Sequence, residues 1–265
     1  MTERKIINLY EYFKNTPKKL KIVCDWDEVI QACEPYALYD VLWGRGDKED
    51  FPQFFKEFWW LMKDKMVYSS YGSRINTDSS TLERQQEFKN TPNFYQEAPF
   101  LTIAEDLLKL IKEDKVEKLI FLVYSKVLGV KGETVIRDER IELVFKETFG
   151  KFPNCSSRKI NYIMDDGGGV EIQWSKENWI KKFASDFDIV IDDNPNICKE
   201  LFENKCMNCS DNCPDEGDGY KWFRGKVIAP YYPATENQHD KRVLLVKNEV
   251  SDLKKEDFTN QKKWI

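Results

Sequence analysis

The sequence lacks the features expected of membrane, secreted and nucleic-acid-binding proteins. No apolar run approaches the roughly 20 residues that a membrane-spanning helix needs, so no membrane partner is expected. Residues 1–15 have no apolar core of the kind that secretory signals carry. Lys and Arg number 41 against 46 Asp and Glu, and this absence of a basic excess argues against bulk binding of nucleic acid. A soluble, cytoplasmic chain is therefore predicted.

The sequence also has little histidine and no cysteine pattern typical of a disulfide framework. The seven cysteines are an odd number and unevenly spread, so reduced thiols are expected. Cys206, Cys209 and Cys213 have a spacing that suits a structural Zn²⁺ site. Cys198 or His239 could supply a fourth ligand, but a second knuckle is missing, so free thiols are the alternative. His239, the single histidine, lies in a polar stretch and is predicted to be a surface residue.

Short apolar runs alternate with amphipathic segments over most of the chain. The runs cover residues 20–24, 119–123, 160–164 and 187–191, with two further candidates at 227–229 and 243–246. Strands that alternate with helices are typical of a parallel sheet. The pattern predicts an α/β, Rossmann-like fold. Residues 1–19 are polar and are predicted to form a lead-in with one short helix at 6–13.

Residues 34–96 differ in composition from the rest, because they are rich in aromatic side chains and show no strand alternation. Phe51, Phe54, Phe55 and Phe58 follow the spacing of one helix face. We interpret the segment as a mainly helical cap inserted after the run at 20–24, with residues 1–33 and 97–265 forming the core. The rings are expected to pack the cap against the core and not to stack on a substrate.

Polar side chains follow three of the predicted strands. Asp25 and Asp27 come after the first run, Ser125 after the second, and Asp192 with Asp193 after the fourth. In a parallel α/β sheet, ligands bind outside the carboxyl ends of the strands. One acidic pair after a strand is commonly a turn or a cap, but three such ends in this order predict a shared site.

In the order of these motifs, residues 20–196 resemble the haloacid dehalogenase superfamily of phosphotransferases. The first motif is Asp25-Trp26-Asp27, the second Ser125, and the fourth Asp192-Asp193. The third motif is a lysine, and Lys176 is favoured because it follows Ser175, the predicted N-cap of a helix. Lys181 and Lys182 are the alternatives and are expected to be solvated charges on the helix surface. Residues 93–108 are also similar to the segment that follows the cap in 5′(3′)-deoxyribonucleotidases.

The resemblance implies a magnesium-dependent phosphohydrolase that works through an aspartyl-phosphate intermediate. Asp25 would be the nucleophile, and Asp27 would handle the protons of the leaving alcohol and of water. Asp25, the backbone carbonyl of Asp27 and Asp192 would bind Mg²⁺, with Asp193 in the outer shell or as an alternative ligand. Ser125 and Lys176 would bind the substrate phosphate. The expected partner is a small phosphomonoester, with a nucleotide as one candidate. A phosphoprotein substrate is a second possibility for the enzyme.

The chain departs from the family pattern at two places. Glu28-Val29 stands where many relatives have Gly followed by Thr or Val, so an additional acid lies beside the site and the turn loses flexibility. This departure favours an alternative, a catalytically silent binding or regulatory module of the same fold. A second acidic pair, Asp165-Asp166, precedes three glycines and competes for the fourth-motif role. We prefer Asp192-Asp193, because Lys176 then falls between the second and fourth motifs.

Overall fold

The computed structural model describes residues 4–44, 48–62, 66–69, 72–75, 79–128, 135–164, 170–172, 175–203, 223–235 and 237–259. The strands are β1 (Ile6–Ile7), β2 (Leu20–Cys24), β3 (Met66–Ser69), β4 (Gly72–Ile75), β5 (Val116–Leu128), β6 (Cys155–Met164), β7 (Val170–Ile172), β8 (Ile189–Ile191), β9 (Lys226–Tyr231) and β10 (Leu244–Lys247). The α-helices are α1 (Leu9–Phe13), α2 (Cys33–Trp43), α3 (Phe51–Leu61), α4 (Ser79–Lys89), α5 (Phe94–Glu97), α6 (Thr102–Lys112), α7 (Val135–Glu147), α8 (Lys176–Phe183) and α9 (Pro195–Glu200).

Eight strands form the main sheet, in the order β1-β10-β9-β8-β2-β5-β6-β7. All neighbours run parallel except β6 and β7, which pair antiparallel. From β2 the chain moves outward to β5 and β6, then returns to the other side of β2 to form β8, β9 and β10. This reversal makes β2 and β8 neighbours at a topological switch point, where α/β sheets open a crevice for ligands. The prediction of an α/β fold on a parallel sheet is confirmed.

The central strand β2 is buried on both faces of the sheet. Ile22 and Cys24 belong to one hydrophobic core, with residues of α6 and α7, while Val23 belongs to a second core with residues of α8 and α9. Because both faces are covered, Ile22, Val23 and Cys24 are apolar, whereas Lys21 near the start of the strand is half-buried. Helices therefore cover both sides of the sheet, and only its edges are open to polar side chains.

The N-terminal prediction was wrong in part. Residues 6–13 do not form one helix, because β1 pairs in parallel with β10 at the edge of the sheet, with Ile6 opposite Leu245. Helix α1 follows it, and the side chain of its N-cap, Asn8, accepts a hydrogen bond from the backbone of Glu11. The pairing partner of β1 lies more than 230 residues away, so the local pattern carries no trace of this strand.

The inserted segment, residues 34–96, contains most of α2, then α3, the antiparallel hairpin β3–β4, α4 and α5. The predicted aromatic face of α3 is buried, with Phe58 fully so. Trp59, also on α3, stacks on Tyr232 of the core with ring centroids 3.8 Å apart and planes 9° apart. The aromatic rings therefore join the inserted segment to the core. Its boundaries as a separate cap remain a prediction.

Among the residues described, no helix has the length and apolar character needed to cross a membrane.

Candidate active site

Two neighbouring strands place aspartates at the same edge of the sheet. The backbone N–H of Asp25 donates to the carbonyl of Ile191 on β8 at 2.9 Å. The N–H of Asp192 in turn donates to the carbonyl of Ile228 on β9 at 3.1 Å. Each aspartate thus adds one backbone hydrogen bond to the sheet just beyond the end of its own strand. Because the strands are parallel, both carboxylates emerge together at the carboxyl edge.

Lys176 joins these two aspartates. Its ammonium nitrogen lies 2.6 Å from Oδ2 of Asp25 and 3.2 Å from Oδ2 of Asp192, and its side chain is only 4% exposed. Lys176 is the first residue of α8, after the N-cap Ser175, whose hydroxyl accepts from the N–H of Asn178. A cation at a helix N-terminus is electrostatically unfavourable, so the two carboxylates, and not the helix, stabilise this charge.

The two alternative lysines point elsewhere. The ammonium group of Lys181 donates to the carbonyl of Glu203 at 2.6 Å. Lys181 is also buried, so its predicted place as a solvated surface charge was wrong: its ammonium group binds a backbone carbonyl instead of water. Lys182 is exposed, as expected. Of the three lysines, Lys176 is the one that contacts Asp25.

The carboxylate cluster consists of Asp25, Asp192 and Asp193, each of which offers one oxygen within 4.8 Å of the others. Burial raises the pKa of Asp25 to about 7, although the Lys176 ammonium acts to lower it. Burial, and then the charge of Asp192, raise the pKa of Asp193 well above its usual range. One ammonium cannot balance three buried carboxylates, so the cluster favours a proton or a further cation.

Asp27 lies beside this cluster but is not one of its three members. Its Oδ2 accepts a hydrogen bond from the hydroxyl of Tyr95 on α5 at 3.4 Å. A short β-bridge pairs Asp27 with Gln31, which holds the turn between them closed. The structure therefore places Asp27 next to residues of the inserted segment, whereas Asp25 faces Lys176.

Trp26 and Gln31 fix the loop that carries both first-motif aspartates. Trp26 is fully buried, and its indole N–H donates to Oε1 of Gln31 at 2.8 Å. The amide of Gln31 donates to the carbonyls of Tyr95 and Ala98 at 2.9 and 2.8 Å. The buried amide of Gln31 therefore links the loop that carries Asp25 and Asp27 to residues at and just after the end of the inserted segment. Sequence reasoning missed Gln31 and Tyr95, because their partners are distant in the chain.

Glu28 has a backbone φ of 58°, in the left-handed region that favours glycine and costs other residues about 1 kcal/mol. The proteins that the first motif resembles carry glycine at this position. The buried side chain turns toward the start of α2, where its Oε1 accepts from the N–H of Glu34 at 2.5 Å. The hydroxyl of Tyr232 and the amide of Asn248 donate to its carbonyl. The additional acid thus serves as a helix cap, and burial raises its pKa well above the usual range.

Ser125 lies within β5 and not at its end. The strand was predicted to stop at residue 123, but it continues to Leu128 because β6 pairs with it along this length, with Ser125 opposite Asn161. The side chain of Ser125 is outside the described part of the structure, so its contact with phosphate remains a prediction. Asp165 and Asp166 also fall outside the described residues.

The predicted zinc site cannot be placed, since Cys206, Cys209 and Cys213 lie outside the described residues and the Zn²⁺ assignment stays a prediction. Cys198, one suggested fourth ligand, is buried in α9, and its thiol donates to the carbonyl of Asp192 at 3.3 Å. Burial, reinforced by Asp192, raises the pKa of this thiol well above its usual value. A thiol held in this way favours the protonated form, which is a poor zinc ligand.

The prediction that His239 is a surface residue was wrong. Only 5% of its surface is exposed. The guanidinium of Arg4 donates to the backbone carbonyls of His239, Asp240 and Val243 and so fixes the segment that contains the histidine. The imidazole nitrogens have no hydrogen-bond partner among the described residues. Burial, together with the charge of Arg4, lowers the pKa of His239 to about 4.

This buried histidine should make the protein less stable in mild acid. The unfolded chain binds the proton with a pKa of about 6.5, whereas the folded chain does so only near 4. As the pH falls from 7.5 to 4, the free energy of unfolding should lose about 3 kcal/mol through this residue. Urea unfolding of the wild type and of His239→Phe at several pH values measures this loss in the free energy of unfolding. The difference between the two curves should change across this window, and parallel curves would contradict the assignment.

Comparisons with known proteins add little. No protein-family model matches the chain, and no curated protein sequence matches it significantly. Among solved structures, the chain is similar to one described as phosphoserine phosphatase in apo form. The two share 14% sequence identity over 87% of this chain and 94% of that chain, with a TM-score of 0.35. A likeness this distant carries no information about activity.

Proposed function

We propose that this protein is a magnesium-dependent phosphohydrolase that transfers the phosphoryl group of a small phosphomonoester to Asp25. The observation that carries the proposal is the position of the Lys176 ammonium between Asp25 and Asp192 at the carboxyl edge of the sheet. A fixed, buried cation beside a carboxylate keeps that carboxylate available as a nucleophile and attracts an anionic substrate. The motif order of the sequence supports the same assignment.

The donor set of the carboxylate cluster fits a hard divalent cation. All three members offer oxygen, which Mg²⁺ prefers, and the cluster holds more negative charge than Lys176 balances. Asp25, Asp192 and Asp193 would hold the ion, together with the backbone carbonyl of Asp27. When bound, Mg²⁺ would neutralise charge on the phosphate and the carboxylates.

The reaction that we propose has two displacements at phosphorus. An Asp25 oxygen attacks the phosphorus and the bond to the ester oxygen breaks, while Asp27 gives its proton to the departing alcohol. Asp27 then takes a proton from water, whose oxygen attacks the same phosphorus and releases Asp25 and inorganic phosphate. Lys176 donates to a phosphate oxygen throughout, and Ser125 would do the same from β5. Each step restores the protonation state that the next one requires.

The substrate class follows from the position of the inserted segment. Tyr95, near its end, contacts Asp27, the residue that would meet the leaving alcohol. The segment therefore lies on the side of the site where the alcohol must leave, and it would select that group. Small phosphomonoesters suit such a site, and a nucleotide is one candidate.

The structure removes the reason for the alternative function, a catalytically silent binding or regulatory module. It was suggested by Glu28, but this side chain caps α2 at Glu34 and its turn keeps the left-handed backbone of glycine. Glu28 therefore need not obstruct Asp25. The two functions still differ in a measurable way, since a silent module would bind Mg²⁺ without releasing phosphate.

We expect phosphate release from at least one member of a panel containing 4-nitrophenyl phosphate, phosphoserine, a sugar phosphate, deoxynucleoside monophosphates and a phosphorylated peptide. Chelation with EDTA should lower the rate about 100-fold or more, and added Mg²⁺ should restore it, because the carboxylate cluster otherwise repels the phosphate. Thermal unfolding with and without Mg²⁺ is measured in parallel. A rise in Tm with Mg²⁺ but no phosphate release from any compound would support the silent module instead.

A further inference from the structure

We propose that Tyr95 is a positioning residue that orients Asp27 for proton transfer to the leaving alcohol. The inference rests on the proposed phosphohydrolase function and deepens it. Its basis is the hydrogen bond from the Tyr95 hydroxyl to Oδ2 of Asp27, made by a side chain that the surrounding residues hold in place.

The Tyr95 ring is fixed on several sides. It is 1% exposed and lies edge-on to Phe94, with ring centroids 5.0 Å apart. The guanidinium carbon of Arg140, on α7, lies 5.9 Å from its centroid. The backbone carbonyl of Tyr95 accepts from Gln31, which also binds Trp26 beside Asp27. The ring and the loop carrying Asp27 are therefore parts of one rigid unit.

Arg140 also fixes the turn that leads into α5. Its Nη1 donates to the carbonyl of Thr91 at 2.6 Å and to that of Lys89. Because Arg140 is 6% exposed, these bonds are shielded from water and correspondingly rigid. Tyr95 is thus anchored to the core through α7 as well as through Gln31.

The hydroxyl has a definite consequence for Asp27. The Tyr95 hydroxyl donates to Oδ2 at 3.4 Å, and this contact links the Asp27 carboxylate to the fixed ring. This contact restricts rotation of the Asp27 carboxyl group. Asp27 is therefore more often in an orientation that allows proton transfer to the leaving alcohol.

The test compares two substrates that differ in their need for a proton donor. 4-Nitrophenyl phosphate has a leaving group that departs easily as an anion, whereas phenyl phosphate has a more basic one of nearly the same shape. The quantity kcat/KM covers the steps up to departure of the alcohol. In Tyr95→Phe, which loses only the hydroxyl, kcat/KM should fall about 10-fold for phenyl phosphate and less than about 2-fold for 4-nitrophenyl phosphate.

Tyr36→Phe is the matched control. Tyr36 belongs to the same buried aromatic cluster, with its ring 6.0 Å from that of Phe94, but its hydroxyl donates to Glu97. This variant should leave the ratio of the two kcat/KM values unchanged. The ratio does not depend on the amount of folded enzyme, so a partly unfolded Tyr95→Phe still gives a decisive result.

Equal losses on both substrates, or no loss on either, would overturn the role of Tyr95 while leaving the phosphohydrolase intact. A wild type that releases no phosphate from these two esters or from any other member of the panel, with Mg²⁺ present, would overturn the proposed function and the inference together. Selective loss on phenyl phosphate supports the positioning role, because a merely structural contact has no reason to distinguish leaving groups.

Discussion

Asp25→Asn should lower kcat for phosphomonoester hydrolysis by at least about 10⁴-fold, the scale on which loss of a nucleophile or its direct partner acts. An amide oxygen is a far poorer nucleophile than a carboxylate, so the variant would lack the group that attacks phosphorus. Phosphate release with Mg²⁺ present measures the loss. The wild type should also gain a phosphoryl group on residue 25 after rapid acid quenching, detectable by peptide mass, and the variant should not.

A matched control is available at the opposite edge of the sheet. Asp186 precedes β8 and is exposed, and its carboxylate pairs with Lys21 at 3.1 Å. Asp186→Asn makes the same chemical change far from the cluster, so kcat should stay unchanged and stability should change by no more than about 1 kcal/mol. Undiminished hydrolysis by Asp25→Asn would show that the nucleophile is elsewhere.

The parts of the site that were predictable from sequence are those whose position depends on the strand order. The part of β2 that is covered on both faces is apolar, and the first acid after it lies at the carboxyl edge of the sheet, so Asp25 and Asp192 could be proposed to meet. Lys176 was predictable because the N-cap Ser175 defines where α8 begins. In each case a local pattern specified a position relative to the sheet.

The parts that could not be predicted depend on contacts between distant segments. The amide of Gln31 is satisfied by carbonyls more than 60 residues away, and Tyr95 reaches Asp27 across 68 residues. His239 is buried by Arg4, from the opposite end of the chain. Glutamine, tyrosine and histidine in polar stretches have no periodicity that reveals such partners. Tertiary packing alone determines whether these side chains are buried.

Glu28 shows how a departure from a family pattern can be misjudged. In the sequence it is an acid where the proteins that the first motif resembles have glycine, which suggests both a stiffer turn and a disturbed site. In the structure Glu28 adopts the glycine-like φ of 58°, and its side chain accepts a hydrogen bond from the backbone N–H of Glu34 in the first turn of α2. The turn is preserved at a cost in backbone strain that the capping bond offsets in part. The substitution is therefore compatible with the geometry of the loop.

Lys176→Met should lower the free energy of unfolding by about 3 kcal/mol in the absence of Mg²⁺, because it leaves buried carboxylates without their shared cation. Methionine has a similar length, so lost packing contributes little. Hydrolysis should fall at least about 100-fold as well, since the phosphate loses its fixed positive partner. Urea unfolding and phosphate release measure the two effects. Lys182→Met, on the exposed side of the same helix, should change stability by no more than about 0.5 kcal/mol.

The pH and Mg²⁺ dependence of this loss separates charge from packing. Without Lys176, the folded pKa of Asp25 should rise above its present value of about 7, further from the unfolded value of about 3.9. An acid whose folded pKa is raised binds its proton more readily in the folded state, so the variant should regain stability as the pH falls from 8.5 to 6. Added Mg²⁺ should recover part of the loss at pH 8.5, because it is a cation in the same cluster. A loss of stability that depends on neither pH nor Mg²⁺ would show that Lys176 contributes packing and not charge. The carboxylate cluster would then carry no excess negative charge, and the argument for a metal ion at this site would fail.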